Sequence, residues 1–117
     1  NEVTVDTESC AQEPKNMSGV WSGTYSCTNT CGDNDTNQPV SLTISQSDER
    51  ATYIDSSASY KGTVCGNEFK FSGGAATYNE SGTFTLTSAT TATKTSSWQS
   101  KSDAKCGGTC TDTLAKN

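Results

Sequence analysis

The most definite chemistry in this 117-residue chain belongs to six cysteines, Cys10, Cys27, Cys31, Cys65, Cys106 and Cys110. An even set of thiols is suited to three disulfides, each contributing about 2–4 kcal/mol by restricting the unfolded chain. The rival chemistry is a four-thiolate metal site, because Cys27/Cys31 and Cys106/Cys110 are C-x3-C pairs at a spacing zinc ligands use. That site would leave Cys10 and Cys65 over, so disulfides are the expectation, with their connectivity open. Asp33, Asp35 and Asn37 place oxygens at alternate positions in the manner of calcium loops. They form a calcium candidate, although Gln38 and Pro39 follow where an EF-hand would continue to its glycine. The alternative is a solvated turn. Catalysis has little to build on. There is no His, which removes the commonest general base, the nucleophile–His dyads and the usual catalytic zinc ligands. No motif pairs a Ser with a Lys, and adjacent carboxylates such as Asp48 and Glu49 fall on turns. A non-enzymatic protein with no cofactor beyond that calcium candidate is expected.

The elements that must position these residues are poor in oil. Leu, Ile, Val and Phe together number 13, whereas ordering the backbone costs roughly 1–2 kcal/mol per residue. Cross-links are the natural compensation, and stable disulfides place a protein outside the cytosol. The chain opens at Asn1 without a Met or an apolar leader, as expected of a secreted or cell-surface protein whose signal peptide has been removed. A net charge of −5 argues against nucleic acid as a partner. No run approaches the roughly 18 apolar residues of a membrane-spanning helix.

Nearly every segment alternates with period two, and no 3.6-residue period competes with it. Strands are expected over 20–27, 40–46, 51–55, 59–65, 68–72, 75–79, 83–87, 91–99 and 109–115, with Gly66-Asn67 as a hairpin turn. Ser81-Gly82 reads as a break between two of them. In the 91–99 strand, Lys94 falls on the same side as Trp98, which demands either a bulge near Ser96 or a wet interior. The fold expected is all-β: a single antiparallel meander of about 8–9 short strands, disulfide-stabilised and closed or nearly closed into a barrel. The barrel or sandwich domain spans 18–117. A strand-like arm and linker, residues 1–17, precede it.

Gly19-Val20-Trp21, on the first main strand, resembles the G-x-W start of the calycin-type barrels, which include lipocalins and avidins. The resemblance covers about eight residues. It implies a barrel with the Trp packed across one end, and in lipocalins a late-strand Arg lies over that Trp. The only arginine here is Arg50, on an early turn.

Three functions follow as expectations. The first is extracellular assembly as a surface or filament subunit, with Val3 and Val5 in the arm adding a strand to a neighbouring copy. The second is a calycin-like barrel for a small ligand or glycan, its pocket lined by Trp21, Tyr25, Phe69, Phe71 and Trp98. Tyr53, Tyr60 and Tyr78 read as either a glycan platform or core. The third is inhibition of an extracellular protease.

Overall fold

The computed structural model describes residues 10, 12–56 and 58–117. Val3 and Val5 lie outside them. Eight antiparallel strands run in order: β1 (Gly19–Asn29), β2 (Asp35–Ser47), β3 (Arg50–Asp55), β4 (Ala58–Cys65), β5 (Glu68–Gly74), β6 (Tyr78–Leu86), β7 (Thr91–Ser100) and β8 (Gly107–Lys116). Each pairs with its sequence neighbours, and β8 returns to β1 to close the barrel. The described residues contain no helix. A meander is what period-two segments joined by short turns must form, and closure removes the unpaired edges an open sheet would expose. Gly66 takes φ +60° in the β4–β5 turn, a conformation glycine adopts without steric cost.

The expected break at Ser81-Gly82 is absent. Gly82 lies within β6, opposite Phe71 on one side and Ser96 on the other. A Cβ there would stand 2.7 Å from the Ser96 Cα, so the glycine serves close strand approach, not a turn. β2 also begins earlier than expected. Its register with β1 shifts between Tyr25 and Cys27, and Asn37, at φ +50°, donates its backbone N–H to Ser26 Oγ at 2.9 Å. This bulge lets a segment rich in Asp, Asn and Pro, residues normally depleted in strands, extend the sheet.

The three disulfides pair Cys10 with Cys65, Cys27 with Cys110, and Cys31 with Cys106. All six thiols are thereby used, which excludes the four-thiolate alternative. Cys27 and Cys110 face each other across β1 and β8, so the two C-x3-C segments staple the first strand to the last. Cys10–Cys65 ties the leader to the end of β4. Three such bonds are compatible with an extracellular protein.

One end of the barrel is filled. Met17, Trp21, Phe69 and Phe84 are fully buried there, each contributing about 1.5–3 kcal/mol by leaving water. The rings of Trp21 and Phe84 meet edge-on with centroids 5.0 Å apart. The leader forms the plug: Trp21 Nε1 donates to the Met17 carbonyl at 2.9 Å, and Gln46 Oε1 accepts the Met17 N–H at 2.8 Å. Lys15 N–H donates to Gly66 O at 2.9 Å. Met17, at the end of the segment read as arm and linker, is thus part of the core.

Candidate functional site

The other end of the barrel stays open. Inward positions along β7 run Ala92, Lys94, Ser96, Trp98, changing from apolar to polar toward that end, and the registers with β6 and β8 hold without a shift. Of the two options posed by Lys94, the bulge is absent, and the interior at this height is polar. A cavity of about 490 Å³ results, lined by Tyr25, Val40, Tyr78 and Trp98 together with Asp35, Asp55, Glu80, Lys94 and Asp112. Its mouth lies where β2 outruns β3. The β2–β3 ladder covers only 43–47 of β2, so Pro39 and Ser41 form one lip and Asp55 and Ser56 the other. Pro39 sits where a missing N–H costs no ladder bond.

The floor is a hydrogen-bonded charge network. Lys94, 4% exposed, and Asp112, 2% exposed, lie opposite each other on β7 and β8, with Nζ 3.5 Å from Asp112 Oδ2. Lys94 Nζ also donates to the Tyr53 hydroxyl at 2.6 Å, which in turn donates to Asp55 Oδ2 at 3.1 Å. Glu80 accepts from the Tyr60 hydroxyl and from Ser96 Oγ, both at 2.6 Å. Tyr53 and Tyr60 stack with ring centroids 4.2 Å apart and separate this network from the apolar plug. Among the described residues no buried side-chain nitrogen or oxygen lacks a partner, as a low-dielectric interior requires.

Burial shifts two of the carboxyls and the phenols. It raises the Asp112 carboxyl to about 6, against the opposing pull of Lys94. It likewise raises Asp55, although the Tyr53 hydrogen bond and Lys94 act in the other direction. The Tyr53 and Tyr60 hydroxyls are pushed far above the ordinary phenol range, first by burial and then by the neighbouring carboxylates Asp55 and Glu80. Tyr25 is raised by burial and by Asp35. Tyr53 and Tyr60 therefore act as neutral donors.

Of the five residues expected to line a pocket, Tyr25 and Trp98 do so. Trp21, Phe69 and Phe71 are instead buried in the filled half, at 0%, 0% and 4% exposure. Position along the strand decides this, because alternation fixes the face a residue takes but not its height in the barrel. Tyr53 and Tyr60 are core, whereas Tyr78 is half-buried at the cavity, its ring centroid 6.2 Å from that of Trp98. Asp33 and Asp35 meet at one amide, Asn29 Nδ2, which donates to the Asp33 carbonyl at 2.8 Å and to Asp35 Oδ2 at 3.2 Å; the hydrogen bond of Asn37 lies elsewhere, from its backbone N–H to Ser26 Oγ. Asn29 Oδ1 accepts from Trp98 Nε1 at 3.2 Å, which links the β1–β2 turn to the cavity wall. Nothing in the sequence marks Asp112, Asp55 or Glu80 as lining a cavity. The phase of Lys94 with Trp98 is the one signal that points to this group.

No family model, curated protein or solved structure matches this chain.

Proposed function

We propose that the protein is a small-ligand-binding barrel, receiving its ligand at the open end. The observation that carries this reading is the division of one closed barrel into a plugged apolar half and a half that keeps a cavity of about 490 Å³. Eight strands enclose just enough room for side chains or for one small ligand, and binding cavities typically measure about 300–1,000 Å³. The calycin resemblance adds support. Lys116, from the last strand, holds its Nζ 5.7 Å from the centre of the Trp21 ring, a cation over the Trp as the lipocalin arrangement implies for arginine.

The test is a fluorescence screen of small amines, alcohols, fatty acids and oligosaccharides. Binding in the cavity changes the emission of Trp98 and leaves that of Trp21, so Trp98→Phe abolishes the response. A response that survives in W98F, or none across the screen, rejects the reading.

Assembly stands as a second reading, favoured by one observation. Beyond the β2–β3 ladder, residues 36–42 of β2 keep one side without a strand partner among the described residues, an acceptor edge of the kind strand addition uses. Deleting residues 1–7 then abolishes polymers in light scattering. Polymers that persist after the deletion exclude the arm as donor.

A further inference from the structure

The wall of the cavity has a chemistry that selects a class of ligand, provided that the binding reading above holds. Four carboxylates, Asp35, Asp55, Glu80 and Asp112, share the cavity with one ammonium, that of Lys94. The ammonium is already engaged: it lies 3.5 Å from Asp112 Oδ2 and donates to Tyr53 at 2.6 Å, at 4% exposure. Setting this pair aside leaves three carboxylates lining one space, with no second cation among the lining residues. Hydroxyls fix two of them, Tyr53 on Asp55 and the Tyr60–Ser96 pair on Glu80. Such donors orient oxygens without cancelling their charge. The rings of Tyr78 and Trp98 line the same cavity, inclined at 76° to each other. A concave, partly desolvated surface of one sign concentrates ligands of the opposite sign, and aromatic faces attract cations in addition.

We infer that the ligand is a small organic cation, an amine whose charge is favoured by the wall that Asp35, Asp55 and Glu80 make negative and whose apolar body lies against Tyr78 and Trp98. Fatty acids and other anions are disfavoured by the same wall, since the one cation that could receive a carboxylate is held by Asp112.

The experiment compares three probes of one shape and different charge, phenethylamine, 2-phenylethanol and 3-phenylpropionate, by titration calorimetry on the oxidised full chain at pH 7.5. Phenethylamine is expected to bind about tenfold more tightly than the alcohol, with the propionate weakest. Glu80→Gln should narrow the gap between amine and alcohol, though the wild-type comparison stands without it. Binding of the alcohol or the propionate as tight as that of the amine overturns the charge inference and leaves the binding reading intact. If no probe binds at all, both readings fall.

Discussion

Replacing Lys94 with Met tests the buried network most severely. The substitution keeps most of the unbranched apolar stem but removes the ammonium that faces Asp112 at 3.5 Å and the donor to Tyr53. Taking one partner from a buried ion pair costs about 3–5 kcal/mol, because the remaining charge stays desolvated. That is a large part of the ~5–15 kcal/mol by which domains are stable. The pH dependence separates this cause from simple loss of packing. In the wild type, burial raises Asp112 from 3.8 to about 6, so the folded state binds its proton more tightly than the unfolded state. The penalty of the ionised carboxyl is therefore present above pH 6 and relieved as the pH falls toward the unfolded value. Without Lys94, which pulls the pKa down, Asp112 rises further and the penalty at pH 7.5 grows. Urea denaturation should show a loss of about 3–5 kcal/mol at pH 7.5. At pH 5, where Asp112 is neutral, about 1–2 kcal/mol should remain for the lost hydrogen bond and its unsatisfied partner. Equal losses at both pH values, or less than about 1 kcal/mol at pH 7.5, would refute a desolvated ion pair at this position.

Other perturbations probe the frame around the cavity. Phe84→Ala, at a ring with no exposure packed on Trp21, should cost about 3–5 kcal/mol in the same assay; a loss under ~1 kcal/mol would mean that the plugged half relaxes freely. Replacing Cys10 and Cys65 together by Ser opens a loop with a sequence separation of 55 and should lower stability by about 4 kcal/mol if chain entropy dominates. A negligible loss would assign the docking of the leader to its hydrogen bonds through Gln46 and Gly66 instead. Gly82→Ala forces a Cβ against the Ser96 backbone and should destabilise by about 1–3 kcal/mol. A neutral result would show that β6 and β7 can separate at no cost.

Period-two alternation makes the class of fold legible. Trp21, Leu42, Val64, Phe69 and Phe84 each take the inward face that the pattern assigns, because the pleat leaves no other choice once one side is buried. The Gly66-Asn67 turn is legible for a local reason, since few residues tolerate φ +60°. Ser81-Gly82 misleads because glycine serves both turns and close strand approach, and only the facing Phe71 and Ser96 distinguish the two. The cysteine pairing is hidden because it depends on β8 closing against β1, a contact made 83 residues apart. The cavity is the least legible feature. Its carboxylates come from β2, β3, β6 and β8, and no local pattern records which positions share one height in a barrel. Lys94 is the exception, since a charge in phase with Trp98 already asks for a polar interior.

The two tryptophans allow a direct measurement on the unmodified protein. Trp21 donates its indole N–H to Met17 inside the plug, and Trp98 donates its own to Asn29 at the cavity wall. An NMR titration with phenethylamine should move the Trp98 indole signal saturably while the Trp21 signal stays in place. Movement of neither signal, or of both together, would contradict a barrel that is solid at one end and receives its ligand at the other.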